Sequence, residues 1–206
     1  MAIALLINEH IPSKGTQTRS AILDVALLLA GSNGLEGLTI GLIAERMQMS
    51  KSGVFSHFGS REDLQIAVIT EYHRRFQEKV FLPSLQKPKG LPRLEKMLTG
   101  WMEKTKDELH SGCIFISGAM EFDDRPGPVR DALVYSVQMW RSALLFAIEQ
   151  AIQEKHFRKD CNPSEILFQI YSLVLGLHHE VRFMRLPDSL KISQQLLKKI
   201  IQENCL

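Results

Sequence analysis

Apolar residues recur at intervals of three and four along almost the whole chain, and this spacing restricts what the chain can fold into. In the first such segment the pattern runs through Ile22, Val25, Ala26 and Leu29. It places the four side chains on one face of a helix. Alternating apolar and polar residues, which are typical of half-buried strands, are nearly absent. We therefore predict an all-α fold of about nine helices, and the 206 residues are enough for a substantial core.

Glycine and proline divide this pattern into separate helices. Gly31, Gly34 and Gly37 end the first helix. The segment from Pro83 to Pro92 carries three prolines and a glycine, and it predicts a loop. Beyond it, capping residues and apolar spacing predict five more helices, at 92–109, 112–122, 128–155, 163–185 and 189–204.

Two short helices precede that loop, and a very short turn joins them. Thr39 is placed to cap a helix that carries Ile40, Ile43, Ala44 and Met47. The turn is 48–50, and its last residue, Ser50, can cap a third helix over about 51–57. A fourth, long helix starts at the capping-box sequence Ser60-Arg61-Glu62-Asp63. Two helices joined in this way are typical of a helix-turn-helix, whose second helix enters the major groove of DNA.

The third predicted helix separates polar from apolar side chains in the way that groove docking requires. Val54 and Phe58 are four residues apart and face inward. The helix would present Lys51, Ser52, Gly53, Ser56 and His57 to the groove. Segment 46–61 contains three basic side chains and no acidic one, whereas residues 1–75 hold seven of each. The positive charge is therefore concentrated where DNA phosphates would lie, although the whole chain has a formal net charge of only +2.

The run TIGLIAERMQMSKSGVFSHFGSREDL, residues 39–64, resembles the DNA-binding domain of TetR-family regulators. With the helix before it, the resemblance covers about 50 residues from Thr18-Arg19 to about Ile69. It implies contacts with bases or phosphates for Arg19, Thr39, Ser50, Lys51, Ser52, Gly53, Phe55, Ser56, His57 and Arg61. Thr39 and Ser50 are expected to act as helix caps first.

Three positions depart from the usual pattern of that family. Phe55 stands where a tyrosine is frequent, so a hydroxyl that could bind phosphate is missing. Ser56 replaces a more usual aromatic residue or histidine, and Arg61 replaces a lysine. These changes bear on DNA contacts and on operator preference, whereas the inward-facing Val54 and Phe58 are retained.

The last two long helices are the best candidates for holding two DNA-reading units together. Such readers usually bind as dimers, with half-sites about 34–36 Å apart. Two apolar stripes are predicted to form a four-helix interface, which is also the usual arrangement in the family. Their residues are Ile166, Ile170, Leu173, Leu177 and Val181 on one helix and Leu197, Ile200 and Ile201 on the other. The alternative is that both stripes face only the protomer's own core.

The middle helices are rich in large, adaptable side chains that could surround a small apolar or amphipathic effector. The candidates are Trp101, Met102, Phe115, Met120, Met139, Trp140, Phe168, Tyr171 and His178. The existence of a pocket is implied by the family resemblance, since the same residue types also fill ordinary cores.

Catalytic, metal and cofactor chemistry finds no support in the sequence. It has no glycine-rich phosphate loop, no GxSxG and no HExxH motif. The three cysteines are widely spaced without a CxxC pair, so neither a metal nor a disulfide framework is indicated, and a reducing cytoplasmic setting fits best. Cys113 follows Ser111-Gly112 at a helix start, where the positive end of the helix dipole can favour a reactive thiolate. The preferred interpretation is a small, packed side chain. No segment reaches the roughly 18 apolar residues of a membrane span.

The interpretation is a cytoplasmic, homodimeric, ligand-responsive repressor that a small molecule releases from a pseudo-palindromic operator. Residues 1–15 are assigned to a flexible tail, 16–62 to the DNA-binding domain and 63–206 to the ligand-binding and dimerisation domain. The alternative is a TetR-like co-regulator that binds a protein partner instead of DNA, and an all-helical enzyme is a more distant rival. Activation instead of repression is left open, and no cofactor is expected.

Overall fold

The computed structural model describes residues 13–108 and 111–206, so most of the predicted tail, 1–12, lies outside the described residues. Within those ranges the regular structure is helical, which confirms the predicted all-α class. The α-helices are α1 Lys14–Asn33, α2 Ile40–Met47, α3 Lys51–Phe58, α4 Arg61–Phe76, α5 Leu91–Asp107, α6 Ile114–Phe122, α7 Pro128–Gln153, α8 Pro163–His178 and α9 Ser189–Asn204.

Side-chain caps fix where the first four helices begin. Ser13, Thr39, Ser50 and Ser60 each accept a hydrogen bond from the backbone N–H three residues later, at 2.9–3.2 Å. The first-turn N–H groups of a helix lack partners within the helix, and a hydroxyl oxygen at this position satisfies one of them. The caps predicted at Thr39, Ser50 and Ser60 are thus confirmed.

The predicted loop from Pro83 to Pro92 was wrong for most of its length. Helix α4 continues into a π-helical turn, Gln77–Phe81, and then a 3₁₀ turn, Leu82–Gln86, so the irregular connection is confined to 87–90. Pro83 lies in the first turn of the 3₁₀ segment, where its missing N–H costs nothing. Pro83 and Pro92 therefore lie in the first turns of helical segments, whereas Pro88 lies in the irregular connection.

Helix α7 is the centre of the C-terminal part. It packs against α4, α5, α6 and α8, while α8 also packs against α9. Its inward face carries Leu133, Trp140, Leu144 and Ile148, all of them buried. Helix α4 packs against both α1 and α7, so this one helix joins the N-terminal helices to the C-terminal core.

The C-terminal end of α1 touches the segment that leads into α6. A Cβ built on Gly31 would overlap the backbone carbonyl oxygen of Ser111, so only glycine permits this approach. Arg182, which follows α8, donates a hydrogen bond to the carbonyl oxygen of Gly31 at 3.1 Å. The end of α1 is thus fixed by two distant parts of the C-terminal half.

Among the residues that the structure describes, no helix has both the length and the apolar character needed to span a bilayer.

Replacing Gly31 by alanine is expected to lower the free energy of unfolding by about 1–3 kcal/mol, because the new methyl group must displace backbone. Chemical denaturation measures the change. Gly15→Ala is the matched control, since its Cβ would meet nothing closer than 3.9 Å. The control should be neutral or raise stability by up to about 1 kcal/mol. Equal effects of the two substitutions would contradict the close approach at Gly31.

Candidate nucleic-acid interface

A tight turn sets α3 against α2. Gln48 adopts the left-handed conformation with φ of 53°, which ends α2 at once. The N–H of Met49 then bonds to the carbonyl oxygen of Ala44 at 2.9 Å, and Ser50 caps α3. The chain therefore passes from α2 to α3 within 48–50, as the helix-turn-helix prediction requires.

Helix α3 has one buried and one exposed face. Val54 is fully buried and Phe58 nearly so, and both pack into the core of the N-terminal helices. The opposite face is open to solvent at Lys51, Ser52, Phe55 and Ser56, and half-buried at Gly53 and His57. The structure thus gathers on one surface the α3 residues that the sequence assigned to DNA contact.

The first residues of α2 and α3 lie side by side. A Cβ built on Gly41 would be 3.4 Å from Cε and 3.8 Å from Nζ of Lys51, and 3.9 Å from Oγ1 of Thr39. The ammonium group of Lys51 therefore lies near the N-terminus of α2, beside its capping hydroxyl. Helix N-termini and lysine both attract anions, so this corner is suited to a phosphate group.

The side chain of Arg19 is oriented by its contact with the core residue Phe58. Its guanidinium lies over the ring of Phe58, 4.9 Å from the ring centroid. Cation–π contact of this kind orients the side chain from α1 toward the end of α3. Arg19 is exposed, so its guanidinium is open to an anion from solvent.

Arg61 has a structural role that the sequence did not indicate. Its Nε donates to the carbonyl oxygen of Leu38 at 2.8 Å, and a terminal nitrogen donates to the carbonyl oxygen of Glu36. The carboxylate of Glu36 also pairs with it at 3.5 Å. The guanidinium predicted to clamp a phosphate is therefore engaged by the loop between α1 and α2.

The same loop is bonded from α6. Glu121 accepts hydrogen bonds from the backbone N–H groups of Leu35, at 3.3 Å, and Glu36, at 2.7 Å. Gln65 of α4 donates to the carbonyl oxygen of Leu35 at 2.7 Å, in a buried position. Sequence reasoning missed Glu121, because a single acid in a short acidic run is normally solvated and its partners lie 85 and 86 residues away.

Six of the nine predicted effector residues are buried or half-buried in the C-terminal part, and the other three are exposed on its surface. Trp101 stacks edge-on against Trp140 at 5.5 Å between ring centroids and contacts Tyr171 at 5.3 Å. Phe115 belongs to the same aromatic cluster through Phe76, at 6.0 Å. The other two buried members of the prediction are Met102 and His178.

The remaining three predicted effector residues are on the surface. Met120 is 74% exposed, Phe168 68% and Met139 44%. Their helices turn these positions outward, so in this conformation they do not line the inside of the C-terminal part. Apolar character alone did not distinguish an inward from an outward face.

The predicted dimer stripes also divide between two faces. Four of their residues are buried within the protomer, namely Ile166, Ile170, Leu177 and Ile201. The other four are half-buried at the surface, namely Leu173, Val181, Leu197 and Ile200. The open face of α8 and α9 instead carries Phe168, Leu175, Ile192 and Leu196, exposed by 40–68%.

Cys113 sits in a buried polar cluster at the junction of α4, α5 and α6. The hydroxyl of Tyr72 donates to Glu108 at 2.6 Å and lies 3.3 Å from the sulfur of Cys113, while Lys104 pairs with Glu108 at 2.5 Å. Burial raises the pKa of the Cys113 thiol to about 11, so it is a thiol at neutral pH. This favours packing over thiolate chemistry. Among 13–108 and 111–206, no cluster of histidine, cysteine or acidic residues is suited to a metal ion.

Comparison with solved structures shows the fold. A TetR transcriptional regulator from Chloroflexus aurantiacus superposes with a TM-score of 0.84 at 20% identity, over 93% of this chain and 98% of the other. A TetR-family regulator from Cytophaga hutchinsonii gives 0.80 at 22% identity, over 95% and 98%. AibR, solved with isovaleryl coenzyme A and operator DNA, gives 0.67 at 21% identity, over 88% and 96%.

Comparison of the sequence with family models identifies both parts of the chain. No curated protein shows significant sequence similarity. Residues 22–68 match the model of bacterial regulatory proteins of the tetR family. Residues 90–197, more than half of the chain, match the model of the tetracyclin repressor-like C-terminal domain. The chain therefore belongs to the TetR family of transcriptional regulators.

Proposed function

We propose that this regulator is a homodimeric repressor that acts on DNA in the cytoplasm and leaves its operator when a small molecule binds. In this proposal residues 16–62 read a pseudo-palindromic operator, while residues 63–206 hold the dimer and receive the effector. The observation that carries it is the exposed face of α3, whose capped N-terminus presents Lys51 beside the N-terminus of α2.

The chemistry of that face supports binding to double-stranded DNA. Lys51 and His57 can contact phosphates, and the exposed hydroxyls of Ser52 and Ser56 can bond to phosphates or base edges. Ser56 currently donates to the carbonyl oxygen of Gly53 at 2.8 Å, which leaves its oxygen able to accept from a base amine. Such groups are what a recognition helix places in the major groove.

The double substitution Lys51→Ala and His57→Ala is expected to weaken operator binding by about tenfold or more, because two contacts to phosphates are lost. Fluorescence anisotropy at two salt concentrations measures it, on DNA enriched from genomic fragments by the wild-type protein. The salt dependence should also become shallower in the variant.

The matched control removes two exposed lysines elsewhere, as Lys87→Ala and Lys89→Ala in the connection before α5. It should bind DNA as the wild type does. Equal losses in both variants would reject α3 as the reading element. Failure of the wild-type protein to enrich any sequence would favour the co-regulator that binds a protein partner.

The exposed apolar face of α8 and α9 supports the homodimer. Phe168, Leu175, Ile192 and Leu196 are 40–68% exposed on it. A groove of about 600 Å³ runs between the two helices and is lined by Leu173, Ile192 and Ile200 among others. Large apolar side chains exposed on both helices are typical of a protein interface, and a two-fold axis lets the same face pair with itself.

Replacing Phe168 and Leu196 by aspartate is expected to convert the dimer to a monomer, because a carboxylate buried without a partner is strongly unfavourable. Both side chains are on the surface, so the protomer should keep its fold. Sedimentation equilibrium measures the mass. The control is Leu28→Asp with Met120→Asp, two residues that are 69% and 74% exposed on α1 and α6. A control that dissociates equally, or a double variant that stays dimeric, would place the interface elsewhere.

Release by an effector requires a route from the C-terminal core to α3. Helix α4 belongs to both parts, and Glu121 of α6 holds the loop between α1 and α2. A ligand that shifts α4 or α6 would therefore change the spacing of the two recognition helices in the dimer. Loss of operator affinity on effector binding is the outcome that this mechanism requires.

A further inference from the structure

A long groove separates α5 from α9, away from the face proposed for the dimer. Its volume is about 860 Å³, within the usual range of small-molecule sites. Leu98 and Met102 of α5 form one wall, and Leu197 and Ile201 of α9 the other. These four side chains form an apolar strip in the groove, and Thr99, Gln194, Lys198 and Gln202 add polar groups to its lining.

One end of this groove is strongly basic. Lys106 and Leu190 line both the groove and a second cavity of about 720 Å³, so the two spaces adjoin each other. Among the described residues, the charged ones that line the adjoining cavity are Lys106, Arg182 and Arg185, with no acid among them.

The charges nearby leave that end positive. Asp107 beside Lys106 is already paired with Lys79 at 2.5 Å, and Glu180 lines the groove between α8 and α9 and not this cavity. Glu95 and Glu103 line the α5–α9 groove itself, where they oppose an anionic group, and Lys198 offsets one of these two charges. An elongated ligand with one anionic end should therefore bind in a single orientation, with the anionic group at the basic end.

The basic end touches the N-terminal part of the protein. Arg182 donates to the carbonyl oxygen of Gly31 at 3.1 Å. A Cβ built on Gly112 would lie 2.8 Å from a terminal nitrogen of Arg182 and would overlap the carbonyl oxygen of Gly31. The guanidinium is therefore close to both segments, and an anion beside it competes with that carbonyl for the same N–H group.

We propose that this groove binds a free single-chain amphiphile with an anionic head, such as an alkyl phosphate or the carboxylate of a fatty acid. The hydrocarbon chain lies between α5 and α9, and the head group is bound by Lys106, Arg182 and Arg185. Binding draws Arg182 from Gly31 and loosens the end of α1. This assignment rests on the proposed function, since it names the effector class and its route to the DNA-binding helices.

The test is isothermal titration calorimetry of the full-length protein with dodecyl phosphate, kept below its micelle concentration. Saturable binding with one site per protomer is expected, together with a fall in operator affinity in the anisotropy assay. Dodecanol and inorganic phosphate should each bind at least about tenfold more weakly, because each lacks one half of the recognition. Equal binding of dodecanol would reject the basic end as a head-group site.

Two variants locate the site without touching the core. Lys106→Gln with Arg185→Gln removes two exposed charges from the basic end, and Thr99→Trp places a large ring into the groove from an exposed position of α5. Each should weaken binding of dodecyl phosphate by about tenfold or more. The control, Lys159→Gln with Lys191→Gln, changes the charge equally at exposed sites that do not line either cavity and should bind as the wild type does. Unchanged binding in both site variants would overturn the assignment.

The assay separates this inference from the proposed function. Calorimetry without DNA reports ligand binding alone, and anisotropy without ligand reports operator binding alone. Ligand binding by a protein that binds no DNA would reject the regulator proposal and keep the site. DNA binding with no response to dodecyl phosphate would reject the site and keep the regulator. Sedimentation with phosphatidylcholine vesicles that contain phosphatidic acid tests a lipid surface as the source, and binding there in place of the free amphiphile would also overturn it.

Discussion

The loop between α1 and α2 depends on hydrogen bonds from outside the N-terminal helices. Its backbone N–H groups at Leu35 and Glu36 bond to Glu121 of α6, and its carbonyl groups bond to Arg61 and Gln65 of α4. Buried or half-buried backbone groups are costly when they lack partners. The helices that carry the proposed recognition surface therefore depend on α4 and α6 for these bonds, and the position of α6 is coupled to theirs.

The junction combines polar bonds with close backbone approach. Gly31 lies against the carbonyl of Ser111, and Arg182 bonds to the carbonyl of Gly31. Packed backbone of this kind has few alternative arrangements, so a displacement of α6 or of the segment after α8 cannot be absorbed locally. For this reason we expect that an effector bound in the C-terminal part changes the position of α3.

Local chemistry made the N-terminal helices predictable from sequence. Thr39, Ser50 and Ser60 act as caps within one turn of their partners, so residue type and spacing were sufficient. The burial of Val54 and Phe58 followed from their four-residue interval in the same way. The loop predicted from Pro83 onward was wrong, because a proline fits the first turn of a helix as readily as it ends one.

Long-range geometry accounts for what sequence did not predict. The apolar residues of α8 occur on two sides of the helix, and nothing local distinguishes Ile170, which is buried, from Phe168, which is 68% exposed. The bonds of Arg61 and Glu121 join parts of the chain that lie 23 to 86 residues apart. Such contacts depend on how the helices pack, which periodicity does not specify.

One outward-facing ring has a consequence for the base composition of the operator. Phe55 is 53% exposed on α3 and carries no hydroxyl. If α3 lies in the major groove as proposed, an apolar ring at this position is complementary to the C5 methyl group of thymine, and it offers nothing to the amine of cytosine. A methyl group on cytosine would present the same surface, so this single side chain would link recognition of the operator to DNA methylation.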